Sequence, residues 1–158
     1  MTFPTVQGSN LLRQKLTLPQ DFKGKLNLVF IPFLQWQQSE VDSWVPWINE
    51  MEAMYPGFMY YELPTIENRN IIYQMFINEG MRAGIPNPVT RERTITLYLH
   101  KSEFQKALNM PDEEHIYNLL VDKQGNTLLR LRGPFTKEKG GEFNNIIESK
   151  LKTIPPNN

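Results

Sequence analysis

Residues 25–39, KLNLVFIPFLQWQQS, constrain this chain more than any other stretch. Over 26–33 the apolar residues run almost without a break. A strand with one wet face alternates polar and apolar side chains, so an uninterrupted run needs cover on both faces. The middle of an α/β sheet, with helices packed above and below, provides that cover. The run ends in a polar loop carrying Trp36, and a helical pattern follows. The loop therefore joins the carboxyl end of a buried strand to a helix N-terminus.

The rest of the chain supplies the other elements. Leu16, Thr17, Leu18 and Pro19 read as a short edge strand stopped by proline, followed by a turn around Gly24. Val41, Trp44, Val45, Ile48, Met51 and Tyr55 recur at helical spacing. They predict a helix over 40–55, kinked at Pro46 or starting near Ser43. Pro56 and Gly57 end it, and 58–63 read as a second strand. A helix opens at Asn68, with Ile71, Ile72, Met75 and Phe76 inward and Gly84 as its stop. Residues 87–93 read as a polar loop and 94–100 as a third strand rich in β-branched residues. Ser102 is expected to cap a short helix carrying Phe104, Ala107 and Leu108. Residues 116–121 and 127–132 form a hairpin turning through Gly125. A last helix over 137–151 places Phe143, Ile146, Ile147 and Leu151 on one face. Residues 1–15 and 153–158 are expected to be loosely ordered tails. The length of 158 residues suits one domain, 1–158. Helices alternating with strands imply right-handed crossovers and a three-layer α/β/α sandwich. Its central sheet is mixed, and a C-terminal β-hairpin plus helix closes it.

Composition removes several classes of function. Lys plus Arg and Asp plus Glu both number 17. No net field therefore draws the chain to nucleic acid or an anionic membrane. There is no cysteine, which excludes disulfides, thiolate catalysis, iron–sulfur ligation and thiolate zinc sites. MTFPTVQGSN lacks the basic region and apolar run of a secretory signal. No uncharged apolar stretch approaches the ~20 residues of a membrane span. A cytoplasmic protein, monomer or homodimer, is expected.

Three stretches carry a resemblance. LTLPQDFKGKLNLVFIPF (16–33) has a short strand, a Gly-Lys turn and a long buried strand. EFQKALNMPDEEHIYNLLVDKQGNTLLRLRGPF (103–135) has a strand ending in Asp, a turn through Gly and a returning strand. The helix before Pro56 and the strand after it fit between them. Over about 16–151 the chain resembles a thioredoxin-fold protein of the peroxiredoxin-like or thiol-reductase-like branch. TITLYLHKSEFQKALNMP and WQQSEVDSWVPW also resemble the mitochondrial ATP synthase assembly factor family and its bacterial relatives. Those proteins have a thioredoxin-like core and act as helpers.

The sequence departs from the family where the family keeps its chemistry. Counted as in a thioredoxin, the two cysteine positions fall on Gln35 and Gln38. Counted from Phe30, Ile31 and Pro32 as in a peroxiredoxin, the peroxidatic position falls on Ser39. An amide or hydroxyl cannot supply the attacking thiolate near neutral pH. Glu114, His115, Ile116 and Tyr117 stand where the family has the proline before its later central strand. Thiol redox chemistry is excluded.

The candidate binding residues are Gln35, Trp36, Gln37, Gln38 and Ser39, with His115 and Tyr117. Open α/β sheets bind ligands at such a loop, where backbone N–H groups and the helix dipole point outward. Trp36 beside three amides suits an extended peptide or a small polar ligand. The plainer account packs Trp36 on a neighbouring loop and leaves the glutamines solvated. By family geometry Ser39 and His115 would make a nucleophile–base pair, but no Gly-x-Ser-x-Gly elbow supports it. Asp112, Glu113 and Glu114 beside His115 read as a solvated acidic turn before a metal site. Arg91 and Arg93 precede one strand, and Arg130 and Arg132 alternate along another. These pairs make either a charged, aggregation-resistant edge or a surface for an acidic partner. Trp44, Trp47, Met51 and Met54 read as core and rim. No phosphate loop appears, and the basic residues lack the interleaved aromatics of a nucleic-acid binder. The leading reading is a thioredoxin-fold protein that works by binding. It would be an assembly or chaperone-like factor, or a peptide-binding module, with a protein or peptide partner and neither cofactor nor metal. The alternative is a non-thiol enzyme or degenerate peroxiredoxin relative using the same cleft.

Overall fold

The computed structural model describes residues 1–68 and 71–151, without the side chains of residues 71–73, 75 and 76. Val6–Asn10 (β1) and Lys15–Leu18 (β2) form an antiparallel pair. Leu26–Ile31 (β3) follows, buried at every residue. A single 3-10 turn, Gln35–Gln37, leads into helices Gln38–Asp42 (α1) and Val45–Met54 (α2). Phe58–Glu62 (β4) and Thr65–Glu67 (β5) precede helices Ile71–Gly84 (α3) and Pro88–Arg93 (α4). Ile95–Leu99 (β6), Lys101–Ala107 (α5), Tyr117–Asp122 (β7), Thr127–Arg132 (β8) and Lys137–Lys150 (α6) complete the order.

The strands make two four-stranded mixed sheets, ordered β4-β3-β7-β8 and β2-β1-β6-β5. β3 runs parallel to β4 and antiparallel to β7. The sheets meet where β4 passes into β5. The Leu63 N–H still bonds the Phe30 carbonyl at 2.7 Å, while the Pro64 carbonyl accepts from Leu97 N–H at 2.9 Å. Proline has no N–H to give, so the chain changes partners there, from β3 to β6. A bridge between Glu62 and Thr94 spans the same junction.

Alternation along β3 and β7 feeds two cores. Val29, Ile31, Tyr117, Leu119 and Val121 face one side with Phe3, Phe22, Phe104 and Leu108. Leu28, Phe30 and Leu120 face the other, against Val41, Trp44, Ile48, Met51, Phe143 and Ile147. Both faces of β3 are covered, as its composition demanded. Trp44 centres the second core. It is fully buried, its Nε1–H donates to the Gly133 carbonyl at 3.1 Å, and its ring meets those of Trp47, Phe135 and Phe143 edge-on. Trp47 is half-buried, Met51 buried and Met54 exposed.

Several local expectations are corrected. Residues 1–15 are not a loose arm. Ser9 and Asn10 pair with Thr96 and Ile95 of β6, and Phe3 and Leu11 are buried. VQGSN carries too little apolar periodicity to announce a strand, and its order comes from β6 and β2. The helix expected over 40–55 is two helices. Pro46 has no N–H for the carbonyl of Asp42, so α1 ends and Pro46 sits in the first turn of α2. Residues 87–93 are a helix rather than a loop, because the Asn87 side chain accepts from the N–H groups of Val89 and Thr90 at 2.8 and 3.3 Å. Ser102 caps nothing, since the N-cap of α5 is His100. The three residues of β5 were too few to register as a strand. The inward face expected for Ile71, Ile72, Met75 and Phe76, and the tail over 153–158, lie outside the described residues and side chains. In the closing hairpin Asp122 Oδ1 accepts from the N–H groups of Gln124 and Asn126, and Gly125 takes φ +87°. The difference between Asn87, which caps a helix, and Ser102, which does not, is measurable. Asn87→Ala is expected to lower unfolding stability in urea by about 1 kcal/mol, whereas Ser102→Ala should stay within about 0.5 kcal/mol of the parent.

Candidate functional site

The loop after β3 is built on one buried amide. The Gln37 side chain is fully buried. Its Oε1 accepts from Phe33 N–H at 2.7 Å and Leu34 N–H at 3.2 Å, and its Nε2 donates to the Glu113 carbonyl at 2.5 Å. One side chain thus fastens the loop to itself and to the segment before β7, leaving no polar atom of its own unpaired. Ser39 Oγ donates to the Trp36 carbonyl at 3.1 Å, and Gln38 Nε2 to Asp42 Oδ1 at 3.0 Å. On top of this frame two apolar side chains remain in water: Trp36 is 54% exposed and Leu34 45%.

His115 comes to the same place from the other side of β3. Its Nδ1 lies 3.0 and 3.2 Å from the two carboxylate oxygens of Glu40. Half the imidazole is exposed, while only 7% of the Glu40 side chain is. The Trp36 and His115 rings meet edge-on, with centroids 6.5 Å apart. The structure therefore brings Trp36 and His115 together, with Gln35, Gln38 and Ser39 exposed around them. Gln37 and Tyr117 are both buried beneath. The Tyr117 hydroxyl donates to the Asp112 carbonyl at 3.1 Å, and its ring packs edge-on against Phe33. Both hold the mouth from within.

No protein-family model matches the chain, and no curated protein matches it by sequence. Solved structures do match. A thiol-disulfide oxidoreductase from Bacteroides fragilis NCTC 9343 superposes with a TM-score of 0.60 at 13% identity, covering 92% of this chain and 99% of that one. A thiol:disulfide interchange protein from Bacteroides sp. gives 0.57 at 21% identity, over 92% and 88%. The exposed lipoprotein thioredoxin of Streptococcus pneumoniae gives 0.57 at 10% identity, over 90% and 98%. The fold is thioredoxin-like. At such identities the likeness is one of fold, and the absence of cysteine keeps thiol chemistry out of this thioredoxin-like chain.

The charged residues singled out in the sequence are mostly occupied within the protein. Arg91 donates to the carbonyls of Ile85 and Arg82. Arg93 pairs with Glu52 at 2.6 Å and lies over the Tyr60 ring. Arg130 donates to the carbonyls of Leu108 and Asn109, and Arg132 pairs with Asp112; both guanidinium groups also lie over Tyr117. Lys101 holds Glu113 at 2.8 Å. The acidic turn is thus largely paired rather than merely solvated. Ser39 Oγ bonds the backbone, and no hydrogen bond joins it to His115 among the described residues. No three metal-capable side chains cluster among the described residues, and no helix there is long and apolar enough to cross a membrane.

Sequence reasoning missed Glu62. It closes β4 at the junction of the two sheets and is 4% exposed, with Oε1 lacking any hydrogen-bond partner among the described residues. Burial pushes its carboxyl up to about 7; the nearby Asp42 charge adds to this, and the Gln38 amide opposes it. A glutamate inside YYELP, between residues that a buried strand needs, was the available signal. The group is neutral in the folded protein at pH values where the unfolded chain has already ionised, so it destabilises progressively as pH rises from about 4.5 to 7. Above that range the cost levels off on the order of 3 kcal/mol. Glu62→Gln is expected to gain stability over the parent across that window and to hold the gain at pH 8. Urea denaturation of both proteins at several pH values checks it, and a difference that does not change with pH would contradict the assignment.

Proposed function

We propose that this chain works by binding: a cysteine-free thioredoxin-like protein whose mouth, formed by Leu34, Trp36 and His115, takes a protein or peptide segment in the cytoplasm. The observation that carries the reading is the exposure of Trp36 and Leu34 on a loop that Gln37 locks from beneath. Large apolar side chains held rigidly in water cost little further entropy when a partner covers them. Tryptophan is also among the residues that carry most binding energy at protein interfaces. A chaperone-like or assembly role fits such a surface, and the resemblance to the assembly-factor family points the same way from sequence pattern alone.

A second reading, a non-thiol enzyme, has one feature in its favour. His115 is oriented by a buried carboxylate, as a general base would be. It has no nucleophile set against it, because the Ser39 hydroxyl is committed to the Trp36 carbonyl. The binding reading is therefore the stronger.

Affinity capture from host lysate separates a specific surface from a merely sticky one. Trp36→Ala should lose the captured partner at least tenfold, a change of about 1.4 kcal/mol or more. Val89→Ala, at an exposed apolar position on α4, should retain it. Equal capture by both variants would remove Trp36 from the site. Purified protein is also expected to show no peroxidase or disulfide-reductase turnover above buffer, and measurable turnover would overturn the exclusion drawn from the missing thiol.

A further inference from the structure

We propose that Glu62 is a proton-operated latch on α1 and that its release loosens the mouth; the consequence for binding rests on the peptide-binding reading above. Glu62 pairs with Phe30 in parallel register, so the two side chains leave the sheet on the same face. Phe30 lies in the core that Val41 of α1 and Trp44 close. Glu62 therefore points into the layer that α1 occupies. Its side chain is buried there, and Oε1 meets no hydrogen-bond partner among the described residues. A buried carboxyl left short of partners is stable only while it holds its proton.

α1 connects that carboxyl to the mouth. Gln38 and Asp42 stand one helical turn apart on its surface, and the Gln38 amide donates to Asp42 Oδ1 at 3.0 Å. Both act on Glu62: the Asp42 charge opposes its ionisation and the Gln38 amide favours it. Glu40, midway between them in the chain, points the other way round the turn, where its carboxylate meets His115. The loop that leads into α1 carries Leu34 and Trp36. With α1 seated, burial and the Asp42 charge hold the Glu62 carboxyl at about 7. If α1 lifts, water reaches the group and its ordinary value near 4.5 returns. Lifting thus releases a proton between those values and becomes about tenfold easier with each pH unit in that window. Above it the seated form is ionised too, and the dependence levels off. The remaining charged groups on this side of β4 are occupied. Glu52 of α2 pairs with Arg93 of α4 at 2.6 Å, and burial pushes the neighbouring Tyr60 hydroxyl upward, away from the window.

The test follows the full chain by nuclear magnetic resonance from about pH 5 to about pH 8. The Ser43 N–H donates to the Ser39 carbonyl, closing α1, and its hydrogen exchange reports lifting. Corrected for intrinsic exchange, that opening is expected to rise about tenfold per pH unit until about pH 7 and then flatten. The Trp36 indole N–H should gain a relaxation-dispersion signal over the same range. Glu62→Gln has no proton to release and should remove both trends. His115→Asn deletes the other proton-binding group set against α1 and should leave the Ser43 trend in place. Ser43 must also open more readily than the Leu28 amide of β3, which exchanges only on global unfolding; equal protection of the two would overturn the latch. A flat Ser43 profile in the parent, or a trend that survives Glu62→Gln, would overturn it as well. A Ser43 trend with Trp36 unchanged would sever the latch from the mouth and overturn the proposal. Neither signal requires a partner, so the capture comparison with Trp36→Ala decides the binding reading separately.

Discussion

The structure depends on the burial of β3 on both faces. It pairs with β4 on one side and β7 on the other while its apolar side chains alternate between two cores. A strand so enclosed cannot slip register without moving every side chain to the wrong core. The point where the chain leaves the sheet, at Pro32 and Phe33, is therefore set. Everything at the mouth is referred to that point: Gln37 bonds the N–H groups of Phe33 and Leu34, and the same amide reaches across to Glu113.

Several of the protein's arginines are committed to contacts within the protein. Arg93, Arg130 and Arg132 lie over tyrosine rings and against carboxylates or carbonyls. Each of these contacts organises the protein rather than advertising a charge to solvent. At the mouth, Leu34, Trp36 and half of His115 remain outward among the exposed Gln35, Gln38 and Ser39, with Glu40 behind the imidazole. A fold whose structural neighbours include thiol-disulfide oxidoreductases is thus kept, while its strand-end loop presents an indole ring beside an imidazole and no sulfur. Glu62 lies below this arrangement, at the seam of the two sheets, as a buried acid beside Asp42 of α1.

Legibility followed periodicity. β3, β6, the β7–β8 hairpin and α6 could be read because their apolar spacing is dictated by the cores they face. β1 could not, since VQGSN is ordered by Ser9 and Asn10 pairing with Thr96 and Ile95 of β6, partners far away in the chain. The helix α4 was hidden in a polar segment whose only signal was an Asn-Pro start, Asn87 capping and Pro88 opening the first turn. At the site, the loop and His115 were legible as neighbours. The burial of Gln37 and Tyr117, and the partnership of His115 with Glu40, were not.

By itself the sequence determined two things about this protein. The nearly continuous apolar run over 26–33 demanded an α/β sheet with both faces covered, and the lack of cysteine removed thiol chemistry, because no arrangement of other side chains supplies a thiolate. Only the tertiary structure decided which of the loop's three glutamines, Gln35, Gln37 and Gln38, would be a buried fastening and which would stay in water. It also decided that a histidine 75 positions from Glu40 would be turned by that carboxylate toward Trp36. Those outcomes depend on distances between strands that no local pattern encodes, so they appear only when β3 and β7 lie side by side.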